Sequence, residues 1–305
     1  MFFDGKPYYS LSSYYKNVFG SKTAKLPIDG GFSCPHRDSR TKLGGCIFCS
    51  PQGSGDFALP CNYSIKDQIE AGKNIYSKKW RDLKYIAYFQ AFTNTYAPVQ
   101  ILRQKYYEAL SCDQISGIAI ATRPDSISNE ALSLLSEINK KTKLWVELGF
   151  QTSNETTAKL INRQFPNNCF DEAVLRLNKE GINVVAHVML GLPYETTKDM
   201  KNTVKYVCSQ KISGIKLHML YILKNTQLFE LYTKEPFHVL SKEEYIKTLS
   251  ECIENIPPNI VIHRITGDPP KDKLFMPEWA ANKKDVLNSI HRYMKENGIY
   301  QGKTL

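Results

Sequence analysis

The 305-residue sequence contains no apolar run approaching the roughly 20 residues of a membrane helix. It has no low-complexity linker and no block of like charge that would divide it. Its opening, Met1–Phe2–Phe3–Asp4–Gly5–Lys6, lacks the basic start, apolar stretch and small-residue cleavage site of a secretory signal, so a cytoplasmic protein is expected. Eight cysteines are too few in a chain of this length for a disulfide scaffold. Acidic residues are short as well, 30 against 40 basic ones, for a net charge of +10. A basic balance of this size favours a polyanionic partner, nucleic acid first, although charge speaks to association and not to fold. Hydrophobic residues at 42% and charged residues at 23% are the proportions of a folded globular chain, which at this length can bury a sizeable core.

Three of the eight cysteines crowd into one loop, Cys34–Pro35–His36–Arg37–Asp38 followed by Gly44–Gly45–Cys46–Ile47–Phe48–Cys49. Clustered thiols in a reducing compartment read as metal-binding or catalytic, and thiolates so placed suit soft metals or iron–sulfur clusters. A closed zinc site fills four positions; no fourth ligand is evident here. A four-iron cluster on three cysteines leaves one iron open to chemistry. The remaining cysteines, Cys61, Cys112, Cys169, Cys208 and Cys252, read as small buried hydrophobes, with Cys61 the nearest to the loop in sequence. His36 reads as an exposed loop histidine, its alternative role being to tune a cluster by hydrogen bonding.

The rest of the chain alternates. Apolar runs at 25–29, 85–89, 115–121, 143–148, 183–190, 214–221 and 260–265 are separated by helical patterns at 64–80, 98–110, 129–139, 154–162, 170–180 and 197–209. Continuous apolar strands alternating with amphipathic helices about every 30 residues indicate a parallel sheet with helices packed on it. Right-handed crossovers curl such a sheet towards a barrel. Six or seven strands fall short of the eight of a closed one. The expected fold is therefore α/β, a partial (βα)6-type TIM barrel at 20–265, with an aromatic and basic N-terminal arm at 1–19 and a C-terminal helical extension at 266–305. In such folds ligands sit beyond the carboxyl ends of the strands. Each predicted strand delivers polar groups there: the cysteine loop, then Gln90 and Thr93–Asn94–Thr95, then Arg123 and Asp125, Glu147 and Gln151, His187, His218 and Tyr221, and finally His263–Arg264.

These stretches, together with Gly53–Ser54–Gly55–Asp56–Phe57, Tyr88–Phe89–Gln90, Glu147–Leu148–Gly149–Phe150–Gln151, His187–Val188–Met189–Leu190–Gly191–Leu192–Pro193 and His263–Arg264–Ile265–Thr266–Gly267–Asp268, resemble the radical S-adenosylmethionine (SAM) superfamily. The likeness is to its branch around the Elongator catalytic subunit and there to the short bacterial YtqA/YhcC type, and it runs from about residue 20 to 272. One departure is the eleven residues between Cys34 and Cys46, where the superfamily's commonest spacing has three. The resemblance implies that Cys34, Cys46 and Cys49 hold a 4Fe-4S cluster. Its open iron would chelate SAM, and reductive cleavage of SAM would give a 5′-deoxyadenosyl radical that takes a hydrogen atom from substrate. It further implies that Thr93, Asn94 and Thr95 lie by the methionine amino group, Glu147 and Gln151 by the ribose, and Met189 by the adenine. Arg123 and Arg264 would offer a fork to the SAM carboxylate or to a phosphate.

The implied substrate is tRNA, at the carbon-5 side chain of a wobble uridine, with a carboxymethylaminomethyl group trimmed to aminomethyl. The basic charge agrees, and an anticodon loop presents unstacked bases for aromatic and arginine side chains to hold. An electron donor such as a flavodoxin or ferredoxin is implied; the acetyl-CoA chemistry of the Elongator relatives is not. The alternatives are a radical SAM enzyme of small-molecule metabolism and a zinc-stabilised, non-catalytic binding module.

Overall fold

The computed structural model describes residues 4–38, 44–53, 55–78 and 80–305. Residues 39–43 of the cysteine loop and Ser54 of the Gly-Ser-Gly-Asp-Phe turn lie outside them. After helix α1 (Leu11–Phe19) and strand β1 (Thr23–Ile28), five helix–strand units follow. These are α2 (Ile65–Ser77) and β2 (Lys84–Phe89), α3 (Val99–Leu110) and β3 (Ile115–Thr122), and α4 (Asn129–Asn139) and β4 (Lys143–Gln151). Next come α5 (Glu155–Leu160) and α6 (Asn167–Lys179) before β5 (Asn183–Leu190), then α7 (Thr197–Ser209) and β6 (Gly214–Met219). A short β7 (Ile222–Leu223), α8 (Gln227–Lys234) and α9 (Lys242–Glu254) precede β8 (Val261–Arg264), and β9 (Leu274–Met276) and α10 (Lys283–Glu296) end the chain.

Strands β1 to β6 and then β8 form one sheet in that order, every pairing parallel. The sheet is a seven-strand partial barrel, as the apolar runs imply. The elements that sequence periodicity passes over lie between β6 and β8: α8, α9 and β7, which pairs antiparallel with β9. Helix starts follow local chemistry. Ser64, Ser128, Thr196 and Ser241 each accept a hydrogen bond from a first-turn backbone N–H, satisfying a donor that the helix leaves orphaned.

Alternate residues of each strand face opposite ways, and the two faces differ in kind. Leu26, Ile28, Phe89, Ile118, Ile120, Leu144, Val146, Leu148, Val184, Ala186, Ile215 and Leu217 join the large core formed with the helices. On the inner face, Ile86, Tyr88, Ala119, Trp145 and Val185 pack with Tyr15 of α1, while Lys25, Glu147, His187, Lys216, His218 and His263 make that face polar. Helix α1 closes the amino-terminal end of the lumen, with Tyr14, Tyr15 and Phe19 set edge-on to Trp145 at 5.7–6.4 Å between ring centres.

The arm and the extension complete the same body. Ile262 N donates to Tyr9 O at 2.8 Å, beside a parallel bridge between Ser10 and Ile262. Gln301 accepts from Tyr9 N at 2.7 Å and donates to Pro257 O and Ile260 O at 2.7 and 2.8 Å. Val286, Ile290 and Met294 of α10 enter the main core. No helix among the described residues is long and apolar enough to cross a membrane.

Candidate active site

The cysteine loop follows β1 directly and is strapped down on three sides. Arg37 N and Asp38 N donate to Cys34 O at 2.8 and 3.0 Å, and Cys49 N donates to Cys46 O at 3.1 Å. The Arg37 guanidinium donates to the carbonyls of Cys49, Ser50 and Pro51 at 3.1, 2.7 and 3.0 Å. Gly45 makes this possible: it adopts φ 83°, and a Cβ there would stand 2.8 Å from Arg37 Nε. Asn162 Nδ2 donates to Gly45 O at 2.7 Å, and Leu228 N of α8 to Ile47 O at 2.8 Å.

The Cys46 thiol donates to Asn162 O at 3.8 Å. The neighbouring Cys46 side chain, with help from the Arg37 and Arg123 guanidiniums, lowers the Cys49 thiol against the opposing effect of burial. Among the described residues no three His, Cys, Asp or Glu side chains close around a single ion. Three thiols with no fourth ligand beside them among the described residues suit a cluster of several irons better than a closed zinc centre, and the Arg37 and Arg123 guanidiniums complement thiolate charge.

His36 is 3% exposed, so the expected solvent-exposed loop histidine is corrected. Its Nδ1 lies 3.1 Å from Arg123 Nη1. Arginine only donates, so Nδ1 accepts and the ring proton sits on Nε2. Arg123 is 7% exposed and fully engaged: it grips Asp125 through two bonds of 2.9 and 2.6 Å and donates to Arg163 O at 3.1 Å. Its fork is spent on protein, which removes it as a carboxylate or phosphate receptor. Cys61 is exposed rather than buried, and Cys112, Cys169 and Cys208 are only partly buried; Cys252 alone is fully covered.

Thr93, Asn94 and Thr95 are buried in the turn after β2, and Asn94 Oδ1 is left without a hydrogen-bond partner. Asn94 Nδ2 donates to Phe89 O and Ala121 O at 3.2 and 2.8 Å, while Thr95 Oγ1 lies 2.5 Å from Thr122 Oγ1 and donates to Ser126 O at 2.6 Å. Thr93 N donates to Ser33 O at 3.2 Å. The segment thus ties the ends of β2 and β3 to the residue before Cys34, and the unpartnered Asn94 Oδ1 is the side-chain acceptor it can offer a ligand.

A cavity of ≈ 830 Å³ runs from Phe48 and Cys49 into the lumen and is lined by Gln90, Gln151, Met189, Tyr221 and Arg264. Gln151 sits on a bulge of β4 with φ 68°. Its amide folds back over Gly149, where a Cβ would stand 2.9 Å from Gln151 Nε2. Arg264 makes no ion pair among the described residues. Gln151, Met189 and Arg264 therefore share one cavity with the cysteine loop, whereas Arg123 and Glu147 lie outside its lining.

Glu147, expected beside a ribose, is 0% exposed and anchors the lumen floor. Its Oε1 is ion-paired with Lys25 and its Oε2 with Lys216, and His187 Nε2 lies 2.9 Å from the same Oε2. Burial alone would raise its pKa, but Lys216 and Lys25 overcome that and hold it well below the usual carboxylate range. Desolvation and the cations also hold the three neighbouring histidines neutral: His187 falls to about 4, and His218 and His263 fall well below their usual value. Lys216 itself is pushed down to about 7, chiefly by burial. Sequence reasoning passed over Lys25 and Lys216 as site residues. The available signal was a lysine inside an apolar strand run, Ile215–Lys216–Leu217, on the face that alternation assigns to the interior.

Comparison with known proteins agrees with this architecture. The radical SAM superfamily model matches residues 34–207, more than half the chain, and the radical SAM C-terminal domain model matches residues 212–296. The chain is 45% identical over 298 residues to the protein YtqA of Bacillus subtilis, covering 98% of this chain and 92% of that protein. It is 25% identical over 188 residues, 60% of its length, to a tRNA uridine(34) acetyltransferase of Methanocaldococcus infernus, of which it covers 34%. The archaeal Elp3 structure from that organism superposes with a TM-score of 0.70 at 17% identity, over 92% of this chain and 64% of the other, a likeness that bears on the fold. A zinc-stabilised binding module is thereby set aside; SAM and a 4Fe-4S cluster are the cofactors. On the domain match, and on a likeness to YtqA along almost its whole length, the chain belongs to the radical SAM superfamily and is a radical SAM enzyme.

Proposed function

We propose that the enzyme acts on tRNA, at the carbon-5 side chain of a wobble uridine, and oxidatively removes the carboxymethyl group of a carboxymethylaminomethyl substituent to leave aminomethyl. A hydrogen atom goes to the SAM-derived radical, a second electron would return to the cluster, and water splits the C–N bond so that the two carbons leave as glyoxylate. The observation that carries the reading is a cavity that joins the cysteine loop to a polar, cationic lumen closed at its far end. Such a space admits a small charged side chain extended from a nucleobase, with the nucleic acid itself left at the mouth. The net charge of +10 supports it, as does the likeness to a tRNA uridine(34) acetyltransferase.

When bound, the cluster and SAM supply a carbon radical able to remove a hydrogen atom from an unactivated C–H bond, with the electron coming from a reductant such as a flavodoxin or ferredoxin. Cys34, Cys46 and Cys49 hold the cluster, and the Arg37 clamp and the His36–Arg123–Asp125 chain fix the loop that carries them. Arg264 receives the SAM carboxylate, Gln151 a ribose hydroxyl, and Met189 flanks the adenine. The Thr93–Asn94–Thr95 turn receives the methionine amino group, with Asn94 Oδ1 as the acceptor. Glu147 is reassigned from the ribose to the lumen floor, where its carboxylate holds Lys25 and Lys216 in place. Helix α1 and Trp145 keep bulk water out of the floor.

Mass analysis of nucleosides in tRNA from a strain lacking the protein tests the proposal. Aminomethyl-type wobble uridines should fall and carboxymethylaminomethyl uridine should accumulate. An unchanged uridine profile would turn the assignment to a small-molecule substrate.

A further inference from the structure

The lumen floor is left electrically unbalanced by its own residues. Lys25 and Lys216 both reach Glu147; one carboxylate balances one ammonium, and burial has already pushed Lys216 down to about 7, so a second anion beside it would restore its charge. The aspartates at the rim of the cavity are spent elsewhere: Asp56 pairs with Lys273 at 3.1 Å and Asp268 with Lys283 at 2.6 Å. Lys216 Nζ gives one proton to Glu147 and one to Tyr88 Oη at 3.0 Å. An ammonium carries three, and no further acceptor for Lys216 is present among the described residues. Two more polar atoms close by are buried without a hydrogen-bond partner, His218 Nε2 and His263 Nδ1, the latter standing 4.0 Å from Glu147 Oε1. The His263 ring is pinned, because its Nε2 packs where a Cβ of Gly214 would stand, at 2.7 Å. Lys216, His218 and His263 all border the cavity. A buried cation with a spare donor beside unpartnered imidazole nitrogens is an incomplete anion site, since buried polar groups are ordinarily satisfied.

We propose that this floor is a carboxylate subsite for the substrate, in which the Lys216 ammonium, with His218 Nε2 beside it on the same face of β6, takes the carboxylate at the far end of the side chain that enters the barrel. The subsite is distinct from Arg264, which serves the cofactor. The chemical class it selects is a substituted glycine: a carboxylate one carbon away from a secondary amine. The identity of that substrate rests on the tRNA assignment above; the anion site itself rests on the charges and unpartnered atoms of the floor. Lys25 and Glu147 position Lys216 and do not touch the ligand.

The test uses the full chain with its cluster reconstituted and oxidised, saturated with SAM so that the cofactor's own carboxylate position is filled. Two anticodon stem-loops are compared that differ only in carrying carboxymethylaminomethyl or aminomethyl at the wobble uridine, alongside carboxyl-13C N-methylglycine followed by NMR. The wild type should bind the carboxylate stem-loop roughly tenfold more tightly or better, the size expected for a charge-assisted hydrogen bond. It should also shift the N-methylglycine carboxyl signal saturably. Lys216→Gln should erase both effects while its SAM affinity and its aminomethyl stem-loop affinity stay at wild-type values. Should Lys216→Gln not fold, His218→Asn, which leaves the Lys216–Glu147 pair intact, should weaken both effects severalfold. Either effect, lost in the variant, sustains the subsite; absence of both in the wild type, or persistence of both in the variants, overturns it. Saturable N-methylglycine binding with no binding of either stem-loop would remove the tRNA assignment and leave the subsite standing.

Discussion

Glu195 stands in the turn after β5, where its Oε1 accepts from Thr152 Oγ1 and its Oε2 is buried with no partner. Burial pushes its pKa up to about 7. The sign follows from which state holds the proton more tightly. Between the unfolded value near 4.5 and the folded value near 7 the native state binds the extra proton, so stability present at low pH is lost as pH rises through 7. Glu195→Gln keeps the shape and removes the charge. Its melting temperature should match the wild type near pH 5 and exceed it at pH 8 by roughly 2–4 °C, the shift that about 1 kcal/mol makes in a chain of this size. Equal melting temperatures at both pH values would show that the carboxyl is solvated. Single residues of this kind are also where sequence reading is least secure. Glu147 and Arg123 look like ligands because a charged side chain at a strand end ordinarily faces solvent or substrate. What consumes Glu147 lies far along the chain, at Lys25 and Lys216, and no local pattern carries that information. Arg123 is taken up by Asp125, two residues on, and by the distant His36 and Arg163.

Among the elements, α1 has the most to do with its position. Its cap is a single side chain: Ser10 Oγ accepts from Ser13 N at 3.2 Å. Ser10→Ala should lower stability by about 1 kcal/mol, read as a shifted denaturant midpoint with an unchanged slope. A changed slope would mean that the whole helix had come away from Trp145 and exposed the lumen floor. The strands were the readily legible elements, since their outward residues make unbroken apolar sets that pack on helices (Leu144, Val146 and Leu148 on β4 are one such set). The cysteine loop was legible for a different reason, its ligands and glycines being neighbours in sequence. The α8–α9 region and the β7–β9 ribbon were not legible. A two-residue strand has no period, and β7 meets its partner β9 some fifty residues later.

For the whole molecule the leading quantity is charge. On the tRNA assignment proposed above, a net +10 should make tRNA affinity fall steeply with salt. Each phosphate contacted adds about 0.7–0.9 to the slope of log Kd against log salt. A slope of about 3 or more, measured by filter binding between low and physiological salt, is expected. A flat line would mean that the basic surface does not meet RNA. The sheet itself is open, with β1 and β8 as its two edges. The edge at β8 does not stay bare, because Tyr9 and Ser10 run alongside it, and an unpaired edge invites pairing with other chains.

That seam has a consequence in time. The residues that close it, at positions 9 and 10, come first along the polypeptide, while their partners at Ile262 and Gln301 come some 250 to 290 positions later. Contacts between distant positions form slowly, because the intervening loop must be closed before they give any return. The opening helix is therefore the late arrival during refolding: pulse-labelled amides of residues 11–19 should gain protection after those of the central strands.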